Sequence, residues 1–215
     1  MKIVCLSDTH GLHNDIDVPA GDVIVFGGDI CNRGTLFEVR HFALWLSKLP
    51  HTHKIIVSGN HCFPFEKPHE HYDAVDLIEC LGGSIYLEDE EVIIDGVKFY
   101  GSPWQPEFYN WAFNLPRGEA LKKVWSLIPD DTNVLITHSP PFGILDEVGR
   151  IPNKECTGCV DLKNRIMELK ELKLHVFGHI HSGYGQTSYC GKEFVNASIC
   201  NEAYEPIRKP IVVEI

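Results

Sequence analysis

Five short apolar runs in this chain end in the same kind of residue. Run 2–6 leads into Ser7-Asp8-Thr9-His10, 22–26 into Gly27-Gly28-Asp29, and 54–57 into Ser58-Gly59-Asn60-His61. Run 133–136 leads into Thr137-His138-Ser139, and 174–177 into Gly178-His179-Ile180-His181. Four or five mostly β-branched residues have the length of a buried strand. Open α/β sheets set their ligand crevices beyond the C-terminal ends of their strands. The pattern therefore demands a sheet architecture in which Asp, Asn and His side chains from several strands share one edge. So many polar groups cannot all be core.

The rest of the chain agrees with an α/β order. Further strand-like runs fall at 92–94, 97–100, 193–196 and 211–214. Thr35-Leu-Phe-Glu38 reads as a capping box opening a helix whose apolar positions include Leu36, Val39, Phe42, Ala43 and Leu46. Helices are also expected over 118–127 and 160–172, the second from the spacing of Val160, Ile166, Leu169 and Leu172. A strand-rich second half predicts a mixed double sheet rather than a purely parallel one. With 215 residues, 44% hydrophobic and 23% charged, a single domain over 1–215 is expected. No apolar stretch approaches the ~20 residues that span a bilayer. The eight cysteines are scattered and no secretion signal precedes them, which predicts a soluble protein of the reducing cytoplasm.

Asp, Asn and His without a thiolate form a hard-to-borderline donor set suited to Mn, Fe, Co or Zn, and the donors outnumber the needs of one tetrahedral ion. Two metals are implied. Asp8-x-His10 and His179-x-His181 are expected to point to one side of an extended chain, unless a turn splits the second pair between adjacent ions.

Taken in order, Asp8-x-His10, Gly28-Asp29, Gly59-Asn60-His61, His138 and Gly178-His179-x-His181 resemble the complete motif set of the calcineurin-like metallophosphoesterase superfamily. Tyr100-Gly-Ser-Pro-Trp104, Phe113-Asn-Leu-Pro-Arg-Gly118, Leu174-His-Val-Phe-Gly178 and Asn196-Ala-Ser198 resemble its branch of small metallophosphoesterase-domain-containing proteins, described as phosphodiesterases. The resemblance implies a four-layer αββα sandwich of two mixed β-sheets flanked by helices. It implies a first metal on Asp8, His10, Asp29 and His181 and a second on Asp29, Asn60, His138 and His179, with Asp29 bridging. Manganese is the first choice of metal, with Fe, Zn, Co or Ni as alternatives. His61 resembles the residue that neighbours the leaving group, where an imidazolium can act as general acid. Two departures bear on it. Cys62 stands where an acid usually follows the Gly-Asn-His motif, and Asn32 stands where a related phosphatase pattern has the Asp that orients the catalytic His.

Substrate contacts are less sharply specified. Arg33 either clamps a phosphate oxygen bidentately or pairs with an acid on a surface loop. His13 lies near enough in sequence to the first donors to touch substrate, or else is a solvated loop residue. Seven aromatics within 99–113 invite a nucleobase contact at Trp104 or Trp111, against packing under a Pro-rich loop. Cys156-Thr-Gly-Cys159 reads as a helix start, or as a zinc or redox pair. His41, His51, His53, His69, His71 and His175 follow no ligand spacing.

Charge then narrows the partner. With 19 basic and 30 acidic residues the chain carries −11, which repels long nucleic acids from most of the surface. Two divalent ions would add about +4 inside the crevice. Charge thus points to a small phosphorylated substrate, and the resemblance to the phosphodiesterase branch, together with the aromatic stretch, implies a phosphodiester such as a nucleotide or cyclic nucleotide. A phosphomonoesterase with the same centre, or a low-turnover metal- and nucleotide-binding scaffold, are the alternatives.

Overall fold

Successive residues of the first strand, Lys2–Leu6, part into two cores. Ile3 and Cys5 join Val23, Val25, Val134 and Val176, whereas Val4 and Leu6 join Ile24, Phe26, Val39 and Phe42. Alternation by two along buried strands is what separates a layer between sheets from a layer beneath helices.

The structure, a computed structural model, describes residues 1–66, 80–150 and 152–215. The strands are β1 (Lys2–Leu6), β2 (Val23–Gly27), β3 (His53–Val57), β4 (Ile85–Tyr86), β5 (Glu90–Ile94), β6 (Val97–Ser102), β7 (Gln105–Pro106) and β8 (Asn114–Leu115). They continue as β9 (Val134–Thr137), β10 (Glu147–Val148), β11 (Glu155–Cys156), β12 (Leu174–Phe177), β13 (Gly185–Tyr189), β14 (Lys192–Asn196) and β15 (Ile211–Glu214). The helices are α1 (Leu36–Ser47), α2 (Phe63–Glu66), α3 (Glu119–Trp125) and α4 (Val160–Glu168). His69 and His71 lie outside the described residues.

Among the described residues one sheet has the order β15-β1-β2-β3-β4, parallel from β1 to β4 with β15 antiparallel at the edge. The other runs β13-β14-β12-β9-β6-β5, parallel from β14 to β6 with antiparallel strands at both edges. Leu135, Phe177 and Phe194 on its outer face pack against Leu121 and Trp125 of α3 and Leu162 and Ile166 of α4. Both sheets are mixed and each is covered by helix, giving the four-layer αββα sandwich.

The capping box of α1 forms as expected, with Glu38 N donating to Thr35 Oγ1 at 3.3 Å and Thr35 N donating to Glu38 Oε2 at 2.9 Å. The helix expected over 160–172 is shorter. Leu169 leaves it with ψ 98, yet Leu169 and Leu172 remain buried, so the apolar spacing outlasts the helical backbone. Strand β13 was not expected, because Gly-Gln-Thr-Ser-Tyr is a largely exposed edge strand with no apolar period. Its hairpin turn, Cys190 at φ 50 and Gly191 at φ 74, is the one signal that marks it. Among the described residues no helix is long and apolar enough to cross a membrane.

Candidate metal centre

Four of the expected donors have left-handed backbones: Asp8 at φ 53, His10 at φ 45, Asp29 at φ 51 and His179 at φ 67. Strands β1, β2 and β12 stop at Leu6, Gly27 and Phe177, so these side chains are aimed by strained residues just beyond the strands. This corrects the extended-chain expectation for Asp8-x-His10. In His179-x-His181 the turn is realised, since a 3-10 helix opens at His181. Glycine creates the room. A Cβ at Gly178 would overlap Asp8 Oδ2, and one at Gly59 would overlap Asp29 Oδ1.

The donor atoms converge. Those of Asp8, His10 and His181 lie within 4.8 Å of one another, as do those of Asp8, Asp29 and His138, and those of His10, Asp29 and His61. Asp29 Oδ2 is 3.9 Å from His10 Nε2 and 3.4 Å from His138 Nε2, which sets its carboxylate between two groups. Asp8 Oδ1 is 3.3 Å from His181 Nε2. Asn60 Oδ1 is 2.8 Å from both His138 Nε2 and His179 Nδ1.

Backbone carbonyls fix the imidazoles. Cys31 O is 3.2 Å from His10 Nδ1, Asn201 O is 2.8 Å from His181 Nδ1, and Gly27 O is 2.8 Å from His138 Nδ1. A carbonyl only accepts, so each Nδ1 carries the proton and each Nε2 faces inward. His10 Nε2 and His181 Nε2 then stand 3.2 Å apart beside Asp8, where a proton on His181 or a bound cation has to separate the two nitrogens. Carboxylate, amide and imidazole donors in two groups sharing Asp29 fit a pair of divalent ions.

The electrostatics agree. Burial alone would raise the Asp8 carboxyl, but the His181 hydrogen bond and the charges of His181, His138 and His10 hold it well below the usual range. Burial is likewise overcome at Asp29 by His138, His10 and His61, which lower its pKa. His138 answers in reverse: burial pulls it down, yet Asp29 and Asp8 push it up to about 9. Burial and the His138 charge bring His179 down to about 3. Two buried carboxylates held ionised attract cations, which compete with the His138 proton.

Supporting groups surround the donors. The Ser198 hydroxyl donates to Asp8 Oδ2 at 2.8 Å, and His179 N donates to both Asp8 oxygens at 3.1 and 3.0 Å. His61 N donates to Asp29 Oδ1 at 2.8 Å, and His61 Nδ1 donates to Asn32 O at 2.7 Å. Thus a carbonyl of residue 32, rather than a side-chain carboxylate, orients His61. A cavity of 1020 Å³ opens over His10, Asp29 and His61 and reaches Phe108, Trp111, Arg117, Arg150 and Tyr204. Tyr204, at φ 60, holds its ring 4.7 Å from that of His10 and 5.3 Å from that of His181. Sequence reasoning missed Tyr204 and the carbonyl of Asn201.

Three expected substrate contacts lie elsewhere. His13 is fully buried, with Nε2 2.9 Å from His41 Nδ1 and its ring against Phe42 and Trp45, and burial lowers its pKa to about 4. It is neither solvated nor in the cavity wall, because α1 offers its ring an aromatic pocket. Arg33 is exposed and does not line the cavity; its backbone N–H is turned to Glu38. Trp104 donates Nε1 to Asp89 Oδ2 at 2.7 Å and packs on Phe113, outside the cavity that Trp111 lines. Cys156 is exposed while Cys159 is buried at the N-cap of α4, accepting from Leu162 N at 3.4 Å and Trp125 Nε1 at 3.3 Å, the helix-start role.

Known proteins are similar to this chain in sequence and in fold. The family model of calcineurin-like phosphoesterases matches residues 1–183. The chain is 42% identical to metallophosphoesterase domain-containing protein 1 of Homo sapiens, over 100% of this chain and 71% of that protein. It is 37% identical to the UPF0046 protein K07C11.7 of Caenorhabditis elegans, over 100% of this chain and 75% of that one. The crystal structure of a phosphopantetheinyl hydrolase from Mycobacterium tuberculosis shares the fold, with a TM-score of 0.62 over 98% of this chain and 95% of that one at 15% identity. With the ordered motifs, the paired donor groups and these matches together, the chain belongs to the calcineurin-like phosphoesterase family, as a metal-dependent phosphoesterase with a binuclear donor set.

Proposed function

We propose that the protein hydrolyses phosphodiester bonds in small, nucleotide-like substrates, with 1–215 acting as one catalytic domain in the cytoplasm. Asp8, His10, Asp29 and His181 would hold one metal, and Asp29, Asn60, His138 and His179 the other. Divalent ions bound there, Mn(II) by preference, would supply a water of lowered pKa and positive charge to offset what builds at phosphorus during in-line attack.

The observation that carries the diesterase reading is the tether of His61. Its Nδ1 donates to Asn32 O, which leaves Nε2 as the nitrogen turned toward His10 and Asp29, and the imidazolium form would be the one that gives its proton from there. An alkoxide leaves a diester poorly without that proton. Asp29 Oδ1 accepts from His61 N, fixing the proton donor against the shared carboxylate. Phe108 and Trp111 in the cavity wall support a planar base, since stacking on an aromatic contributes about 1–3 kcal/mol per base. Arg33, which would have favoured a monoester, does not line the cavity.

Paired synthetic mono- and diesters assayed with Mn(II) test the reading. Preference for the diester is expected, and a strong preference for the monoester overturns it. His61→Ala should keep two metals per chain and lose turnover. Little turnover in the wild type, unchanged in the variant and accompanied by tight metal and nucleotide binding, would make the protein a binding scaffold, and loss of a metal would make His61 a ligand. Asp29→Ala should lose both turnover and metal, because it is shared.

A further inference from the structure

The cavity over the donors is larger than one phosphoester needs, and its wall carries charge that the metal chemistry does not use. Arg117 and Arg150 both line it. They come from separate loops. Arg117 lies between β8 and α3, and Arg150 lies between β10 and β11, just after Gly149 at φ 92. Arg117 donates through Nη1 to Gly158 O at 2.8 Å and through Nη2 to Thr157 O at 2.7 Å. Two carbonyls fix the guanidinium without neutralising it.

Among the described residues neither arginine has an ion pair. Other arginines do find carboxylates: Arg165 is 2.6 Å from Asp130, and Arg208 is 3.4 Å from Glu202. Of the carboxylates lining the cavity, Asp29 belongs to the donor set and Glu202 faces Arg208, leaving Glu107 on the aromatic segment. In a chain of net charge −11, two guanidinium groups on the wall of one cavity, with no ion pair among the described residues, are a selective feature. Guanidinium is the side chain that matches phosphate oxygens in pairs.

We propose that Arg117 and Arg150 form an anion subsite for a second phosphate, so that the preferred substrate is a phosphodiester bearing a further anionic group. The reaction rests on the phosphodiesterase reading above; the subsite does not. A neighbouring phosphate in a nucleic acid strand offers the same chemistry, but the chain's net charge of −11 favours the small molecule.

The test compares the p-nitrophenyl ester of thymidine 5′-phosphate with the same ester carrying a 3′-phosphate, in the Mn(II)-loaded protein. The leaving group is identical. The wild type should favour the 3′-phosphorylated ester by about tenfold in kcat/KM, expressed mainly in KM, as a charge-assisted pair of hydrogen bonds would give. Arg117→Gln with Arg150→Gln should bring that ratio near one. Arg150→Gln alone should lower it severalfold, without freeing the carbonyls of Thr157 and Gly158. A wild-type ratio near one, or a ratio unchanged in the double variant, overturns the subsite. If neither ester turns over, the phosphodiesterase reading fails, and the subsite is still read by calorimetry. Thymidine 3′,5′-bisphosphate should bind more tightly than thymidine 5′-phosphate, with the excess lost in the double variant; equal binding overturns the proposal. A thymidylate decamer that competes more strongly than the bisphosphate overturns the small-molecule form.

Discussion

Trp111 stacks on His61 with ring centroids 4.2 Å apart and planes 29° from parallel. The imidazole is thereby held twice, by the Asn32 carbonyl at Nδ1 and by an indole across its face. Phe63, 5.9 Å from Trp111, steadies the indole in turn. An aromatic that reads in sequence as a platform for a base thus also positions the proposed proton donor.

Replacing that indole should therefore act on turnover. Trp111→Leu is expected to lower kcat on a phosphodiester by about tenfold with little change in KM, since a small misplacement of a reacting group is expensive. Trp111→Phe, which restores a stacking face, should recover most of it. Steady-state kinetics decide the matter: a loss confined to KM would leave Trp111 as a substrate contact and nothing more.

The Asn32 carbonyl has its own support in Glu38. That carboxylate accepts from Asn32 N at 2.9 Å, Arg33 N at 3.1 Å and Thr35 N at 2.9 Å. Burial would raise its pKa, but the Thr35, Asn32 and Arg33 N–H groups lower it below the ordinary glutamate value. Glu38→Gln should destabilise the fold by about 1 kcal/mol, as loss of a cap does, and also reduce kcat severalfold. Thr35→Ala should cause a similar loss of stability in urea titrations with activity largely retained. Equal losses of activity in the two variants would show that Glu38 acts on the helix alone.

The donors were legible because each follows directly on a strand whose apolar run is local, so position in sequence translates into position at the sheet edge. Where a loop side chain turns is settled by distant partners instead. His13 goes inward to His41 and Trp45, and Trp104 goes to Asp89. Tyr204 is aimed by a turn in which Asn201 Oδ1 accepts from Ala203 N and Glu205 N, both at 2.9 Å. Nothing in the residues around it marks the proposed metal donors His10 and Asp8, at the far end of the chain, as its neighbours. The left-handed backbones at Asp8, His10 and Asp29 are invisible for the same reason, since only the assembled site compensates their strain.

Gly178 makes that compensation testable. Its N–H donates to His138 O at 3.0 Å, and a Cβ there would overlap Asp8 Oδ2 and Ser7 Oγ. Gly178→Ala should displace the Asp8 carboxylate, lower metal content below two ions per chain by elemental analysis, and destabilise the fold by about 1–3 kcal/mol through overpacking. Full metal content at unchanged affinity would remove Asp8 from the proposed donor set.

A last prediction concerns a histidine outside the proposed donor set. His175 is fully buried on β12 beside Phe177 and Phe194, and burial pulls its pKa down to about 3. Thr137 Oγ1 gives its proton to Ser139 O, so His175 Nε2 donates to Thr137 Oγ1 at 2.8 Å and Nδ1 is bare. The unfolded chain binds a proton at an ordinary histidine near pH 6.5 while the folded chain does not, so stability from this residue is present above that pH and falls as the solution is acidified towards pH 3. At about 1.4 kcal/mol per unit, about 2 kcal/mol should be lost between pH 7 and pH 5. His175→Leu removes the titrating group and should flatten the urea-denaturation stability over that interval by the same amount. A variant whose stability declines as steeply as the wild type would mean that His175 is protonated in the folded state, despite its apolar surroundings.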